Sequence, residues 1–481
     1  MKKLIVIVFI IFGAFLTLCL YRTYAYDTSV VEEVPSTTDL EYTFKIGNSS
    51  IKQITVDSGE TKYYDIVLGN PNNAKISYSV YYEMVSPSTK PDGYSIGYTS
   101  KSTGTSTGKV DKNGNITLNI VVTNTSSSTV TVKIGTVAGY VKGGELTLNS
   151  GQVIIPNAPV NAVELITKLN DNSSGDSGSG VYKVTHSAIP ASSSATGSEI
   201  PAVTDYRYYG PNPNNYVCLD MEGQSTCPDK HLYRIIGSIY EELEGANRLK
   251  VIKATPLTDG TTKGFVWDLE GNVWATPTNG NYSNSLTSGS QLMKLLNSGL
   301  WWNGTSGSYN NDSTPATNVN FTNYKLSDKA KSYISTSRYY LVGPDTDGLK
   351  TPSMYLNERS NLFFEEGMTS YWDGMIGLMY SSDYGYAAGN NCFLNTNLDI
   401  YDLYCKDINW LYNSQNFQWF ITSTYTYQGY AYCTYNDEGI RVLICLKSST
   451  VAFVSPTFYL TSSTLITSGD GSIDNPYLIG L

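Results

Sequence analysis

Histidine is almost absent: the chain has 481 residues and two of them are histidine, His186 and His231. A Ser–His–Asp or Cys–His hydrolase needs one well-placed imidazole, and zinc sites usually draw on His or on paired Cys. His186 falls in a polar stretch that predicts a solvated side chain. His231 precedes an apolar strand, where a domain-surface position is expected. Neither is assigned a catalytic role. Charge is also scarce. Asp, Glu, Lys and Arg make up 15% of the chain, against about a quarter in ordinary globular proteins. The net charge is −10 and no basic cluster follows Lys2 and Lys3, which excludes nucleic acid as a partner, because phosphate binding needs clustered Lys and Arg. No CxxC pair occurs, so neither a metal nor a cofactor is expected. Tryptophan is missing before Trp267, cysteine is missing between Cys19 and Cys218, and phenylalanine is outnumbered 13 to 40 by tyrosine. After the first residues there is no second long apolar run and no Leu-Pro-x-Thr-Gly sorting signal.

What is present begins with MKKLIVIVFIIFGAFLTLCLYRTYAYD. Two lysines precede an apolar run from Leu4 to Tyr21, short for a membrane span and long for the core of a cleaved signal. Thr23 and Ala25 offer small residues for cleavage after Ala25. Residues 1–26 are therefore expected to be a signal anchor or a signal peptide. Lys2 and Lys3 would keep the N-terminus in the cytoplasm. The rest is then exported, and the chain is attached to the cytoplasmic membrane or, if cleaved, secreted. Residues 27–40 read as an extended spacer.

Tyr, Thr, Ser, Asn and Gly fill the space that charge leaves, and this mixture favours strands and tight turns. From 41 to 156 the pattern is short strands broken by turns. KQITV, TKYYDIVL, AKISYSVYYEM, ITLNIVVT and TVTVKIGTV follow one another. In the third, Ile76, Tyr78, Val80, Tyr82 and Met84 share one face. Such spacing predicts an antiparallel β-sandwich. VDSGETKYYDIVLGNPN resembles the Ig-like sandwiches that stand near the membrane in Gram-positive surface proteins. Residues 157–203 predict a short helix (VNAVELITKL) and then a flexible Ser/Gly-rich linker beginning at Asn170.

The last segment, 204–481, predicts an α+β domain. HLYRIIGSIYEE and RLKVIKATPL suggest a hairpin. SQLMKLLNSGLWW suggests a helix capped by Ser290, and LSDKAKSYISTSRYYL a second helix capped by Ser327. IGLMYSSDYGYA reads as a buried strand followed by a turn, with Gly385 at positive φ and Asp383 accepting from nearby amides. Cys218, Cys227, Cys392, Cys405, Cys433 and Cys445 are even in number and exported, as disulfides require. Of the 15 possible pairings, local closure favours Cys218–Cys227, Cys392–Cys405 and Cys433–Cys445. Each would close a loop of about ten residues and contribute about 2–3 kcal/mol.

The ordered blocks YRYYGPNPNNYV, LYRIIGS, LMKLLN, IGLMYSSDYGYA, WLY and SGDGSIDNPYLI resemble a group of exported, membrane-anchored surface proteins of low-GC Gram-positive gut bacteria. The resemblance covers about 270 residues and carries no catalytic residue across. A more distant similarity is to C-type-lectin-like domains, which combine two helices, long loops and local disulfides; their calcium-binding Glu-Pro-Asn signature is missing here.

The candidate binding residues are aromatic apart from Asp383, and packing of the same rings into the core is the alternative reading. Trp301, Trp302, Trp410 and Trp419 stand beside Asn, Ser and Gly, and Asp383, Tyr384 and Tyr386 form a second group. Flat rings with neighbouring amides suit a glycan or protein ligand. The function this favours is an adhesin-like head outside the cell, without catalysis. The alternatives are an extracellular carbohydrate-active hydrolase and a structural envelope protein. A hydrolase would need two converging carboxylates, and Glu365–Glu366, Asp345 with Asp347, and Asp437–Glu438 are the sequence's candidates. The oxygens of DGSIDN, Asp470 to Asn475, are read as a turn rather than a calcium loop, for lack of a distal bidentate Glu.

Overall fold

The computed structural model describes residues 43–46, 53–98, 107–139, 148–155, 160–170, 175, 178–269, 289–311, 317–344, 348–362, 370–401, 405–412, 417–424, 430–436, 440–447 and 449–480. The expected membrane segment and the three candidate carboxylate pairs lie outside these residues. Among the described residues no helix is long and apolar enough to cross a membrane. The chain divides into two compact units, Met1–Ala158 and Pro159–Leu481, and strand far exceeds helix.

The first unit is built of two antiparallel sheets. One runs in the order Thr43–Ile46, Glu60–Gly69, Asn115–Asn124, Tyr94–Tyr98. The other runs Gln53–Val56, Val130–Gly139, Ile76–Ser86, Thr107–Val110, with Gln152–Ile154 also paired to Ile76–Ser86. A period of two places every second side chain on one face. Ile66 and Leu68, Leu118, Ile120 and Val122 from one sheet therefore meet Ile54 and Val56, Ile76, Val80, Val132 and Ile134 from the other in a single buried cluster. Tyr78 and Tyr82 join it and Met84 packs at its edge. Two buried asparagines hold the turns: the Asn70 amide donates to Ala74 and Val110 carbonyls at 2.8 and 3.0 Å, and the Asn124 amide to Val56 and Ser128 carbonyls at 2.9 and 2.8 Å.

The second unit begins earlier than expected. Val160–Asn161 pairs with the strand Leu465–Ser468. The helix Ala162–Lys168, capped by Asn161 accepting from Val163 and Glu164 amides, buries Ile166 in this unit's core. Burial of that apolar face decides where the helix belongs, so residues 160–170 and 178–203 are part of this unit. Gly175, within the Ser/Gly run, is buried and its carbonyl accepts from the Asn390 amide at 2.8 Å. Gly180–His186 is a strand paired along its whole length with Val203–Tyr209.

The main sheet of this unit has nine strands. Leu232–Glu241 lies at its centre. It pairs with Tyr216–Cys218 at one end, with Val203–Tyr209 near the other, and with Ala246–Lys253 along its length. The hairpin is thus as expected. A smaller four-stranded sheet holds Val342–Gly343, Gln418–Thr424, Tyr430–Asn436 and Ile440–Lys447.

The helices are more numerous and shorter than the two-helix, C-type-lectin-like expectation. Gln291–Asn297 starts at Ser290, whose hydroxyl accepts from the Met293 amide, and Leu300–Asn303 follows it. Asp328–Ser332 starts at Ser327 but ends after one turn, and Ser337–Tyr340 is a strand. Thr351–Glu358, Ser381–Ala387 and Asn390–Asn395 complete the described α-helices of this unit. Ser381–Ala387 corrects the turn expected at SSDYGYA. Asp383 sits at the third helical position, and its carboxylate accepts from the Tyr380 amide at 3.0 Å. Gly385 is helical rather than left-handed; it is small because a Cβ there would strike Thr351 and Leu398. Disulfides join Cys218 to Cys227 and Cys392 to Cys405. Cys433 is also disulfide-bonded; the side chain of Cys445 lies outside the described residues.

Candidate functional site

The expected ligand-binding side chains lie in the interior. Trp301, Trp410 and Trp419 are buried, and Trp302 is half-buried against the core. Asp383, Tyr384 and Tyr386 are 1%, 0% and 1% exposed, which removes them from any ligand face. The loop composition around them misled because large rings beside polar residues are equally at home in a core whose polar ends are hydrogen-bonded. Trp419 donates from Nε1 to the Phe265 carbonyl at 2.9 Å and meets Trp267 edge-on with ring centres 5.7 Å apart. Trp419→Ala is expected to cost about 3–5 kcal/mol of stability, seen as a lower urea midpoint, with no change in ligand affinity.

Asp383 instead anchors a buried ionic network. Its carboxylate accepts from Arg207 Nη1 at 2.9 Å and Lys250 Nζ at 2.6 Å. Arg207 turns its other nitrogens to Asp205, 3.1 Å from Nε and 2.7 Å from Nη2. Asp205 also faces His186 Nε2 at 3.0 Å. His186 is therefore a buried core residue rather than a solvated one. It stacks on Tyr355, ring centres 3.6 Å apart, and the Arg359 guanidinium also lies over Tyr355. Glu358 accepts from both the amide and the hydroxyl of Ser382. Three buried carboxylates, Asp205, Asp383 and Glu358, thus face three buried cations, Arg207, Lys250 and Arg359. None is presented to solvent, and the network's chemistry is structural.

Titration in this network has a sign. Burial holds His186 below its ordinary value, against the pull of Asp205. Burial raises Asp383, but Lys250 and Arg207 outweigh it and the carboxyl sits below its usual range; Arg207 and His186 do the same for Asp205. All three bind fewer protons folded than unfolded, so stability is full above their unfolded values and is lost on acidification. Glu358, raised by burial, acts in the opposite sense and offsets part of the loss. Thermal melts should fall first as pH drops below 6.5, the unfolded value for His186, and again below 3.8, the unfolded value for the two aspartates.

One concave surface among the described residues lies beside the central hairpin. A cleft of about 270 Å³ is lined by Arg234, Lys253, Thr255, Trp410, Tyr412 and Gln418, among others. Arg234 and Lys253 stand on paired strands, with Arg234 opposite Ile252 and Lys253 opposite Tyr233. The Arg234 guanidinium lies 4.4 Å over the Trp410 ring and 4.6 Å over Tyr216. Its Nε donates to the Asn215 side chain at 2.8 Å, and Nη1 and Nη2 reach the Trp410 and Pro213 carbonyls at 3.3 and 3.4 Å. Lys253 is 7% exposed and donates to the Asp229 carbonyl at 2.6 Å. Among the described residues no carboxylate lies within ion-pairing distance of either cation, and no Asp or Glu lines the cleft. Burial pulls Arg234 down to about 10 and Lys253 down to about 8, yet both stay charged at neutral pH. Buried cations without a paired charge are costly, and an ammonium has three donors to satisfy.

Of the expected binding residues the structure brings only Trp410 to this cleft. Arg234 and Lys253 were missed. The signal for them is a cation set inside an apolar strand run, as in LYRIIGS and VIKA. The turn Asp470–Asn475 behaves as expected, with Asp470 Oδ1 accepting from the Ser472 amide at 2.9 Å and the Asn475 amide donating to Ser472 at 3.2 Å. A second cleft of about 620 Å³ is lined by Asp259, Ser306, Asn318 and Asn320. Its carboxylate is already used, accepting from the Thr261, Thr262 and Asn320 amides. No family model, curated protein or solved structure matches the chain.

Proposed function

We propose that this is an exported surface protein whose second unit is a binding head, and that the Arg234–Lys253–Trp410 cleft takes an acidic sugar residue of an extracellular glycan. The reading includes a membrane-anchored or secreted chain and an Ig-like first unit acting as a stalk, in line with the N-terminal apolar run and the two-sheet first unit. The observation that carries the proposal is a pair of cations beside Trp410 and Tyr412 that have no carboxylate within ion-pairing distance among the described residues, Asp229 acting on Lys253 only from farther away. A carboxylate on the ligand would accept charge-assisted hydrogen bonds from them, while the half-buried Tyr412 offers ring surface. The cleft volume is near the lower end for small-molecule sites, about 300 Å³, which favours one terminal sugar over a long chain segment. A hydrolase is not favoured, because no Asp or Glu among the described residues lines this cleft and glycosidases need a carboxyl pair. The test is a glycan array probed with the oxidised full-length chain. Saturable binding confined to carboxylate-bearing glycans is the expected result; binding to neutral glycans alone, or to none, would sink the reading.

A further inference from the structure

We propose that Asp220, Glu222 and His231 form a binding site for a divalent transition-metal ion, with zinc the best fit. One ligand atom from each lies within 4.8 Å of the others. The chain builds this grouping locally. The Cys218–Cys227 disulfide, with its Cα atoms 5.8 Å apart, closes the loop that carries both carboxylates. The 3-10 turn Asp229–His231 then returns the imidazole to it.

The observation that points to a ligand is His231 itself. Its side chain is 0% exposed, and among the described residues Nδ1 has no hydrogen-bond partner. Nε2 meets a single neighbour of opposite charge, Glu222 Oε1 at 3.2 Å. A buried imidazole left in this state costs free energy, and such groups in native proteins commonly mark an ion or a water. An ion bound to Nε2 gives that nitrogen a ligand bond and draws Glu222 and Asp220 into the same shell.

The other oxygens are already supported. Lys230 holds Glu222 Oε2 at 2.8 Å, which leaves Oε1 for the metal. The Ser327 hydroxyl donates to Asp220 Oδ2 at 2.6 Å, and the Glu222 amide to Oδ1 at 3.1 Å. Lys329 stands 3.5 Å from Asp220 Oδ1, with its side chain 60% exposed and free to swing away. Two lysines so close weaken the attraction for a cation. One imidazole with two carboxylates favours zinc over calcium, which takes all-oxygen shells. Three protein ligands leave a fourth position open.

The test uses the full-length oxidised chain, stripped with EDTA and dialysed, titrated calorimetrically with zinc chloride and separately with calcium chloride. One zinc per chain and no calcium at matched concentration is expected. His231→Gln should weaken zinc binding by about tenfold or more, the loss of one ligand. Lys230→Met, which keeps all three ligands, should tighten it several-fold. If His231→Gln fails to fold, the wild-type titration and the Lys230→Met variant still decide. No zinc uptake by the wild type, zinc binding unchanged in His231→Gln, or weaker binding in Lys230→Met would each overturn the proposal.

Discussion

Asp383→Ala is expected to cost the second unit about 3–5 kcal/mol, a large share of the roughly 5–15 kcal/mol that holds a domain folded. The reason is what the substitution leaves behind. Asp383 is the shared acceptor for Arg207 Nη1 and Lys250 Nζ, and all three side chains are 1% exposed or less. Arg207 keeps Asp205, but the ammonium of Lys250 loses its only carboxylate among the described residues and keeps just the ring faces of Tyr380 and Tyr459, 4.0 and 5.4 Å from their centres. The same substitution removes the acceptor for the Tyr380 amide at the start of the helix Ser381–Ala387. Replacing Lys250 by Met as well should recover part of the loss, because the orphaned charge goes with it. Urea unfolding of the single variants and the pair measures this; a single-variant loss below about 1 kcal/mol would mean that the network contributes no more than an exposed ion pair.

Lys253→Met is expected to do the opposite to stability and the most to binding. The wild-type ammonium is charged and almost fully buried, and no carboxylate among the described residues lies within ion-pairing distance of it, Asp229 offsetting only part of the burial cost from farther away. Its pKa of about 8 against an ordinary 10.5 corresponds to a penalty of about 3 kcal/mol at neutral pH. Methionine of similar length removes the penalty and gives up one hydrogen bond to the Asp229 carbonyl, worth about 1–2 kcal/mol. The variant should therefore melt no lower than the wild type, while its affinity for an acidic glycan falls by about 10–100-fold, the loss of one charge-assisted hydrogen bond. A residue whose removal leaves the protein no less stable yet weakens binding is placed for function rather than for folding. A variant that binds normally, or that loses binding only because it unfolds, would place Lys253 among the scaffold residues.

Much of the architecture is legible in the sequence where the deciding forces are local. The strands of the first unit announce themselves because alternate residues such as Ile76, Tyr78, Val80 and Tyr82 share one face. Gln291–Asn297 announces itself because Ser290 caps an apolar stripe. Cys218–Cys227 and Cys392–Cys405 do so because near neighbours close most readily. The helix Ser381–Ala387 is not legible, because its partners are distant: Arg207 is 176 residues from Asp383 and Lys250 is 133. Without those cations, SSDYGYA reads as a polar turn; with them it is a buried helix. His186 fails the same way, since Asp205 and Tyr355 turn a polar-looking residue into core. The candidate cleft is half legible. Trp410 was visible as an aromatic beside Asn, but Arg234 and Lys253 matter because no carboxylate among the described residues meets them, and that depends on the fold.

The measurement that bears most directly on the account is the affinity of the full-length protein for a uronic-acid oligosaccharide and for the same oligosaccharide with its carboxyl groups reduced to alcohols. If Arg234 and Lys253 receive the ligand's carboxylate, reduction should weaken binding by about 10–100-fold. Equal affinity for both forms would contradict the assignment of the cleft to an acidic sugar.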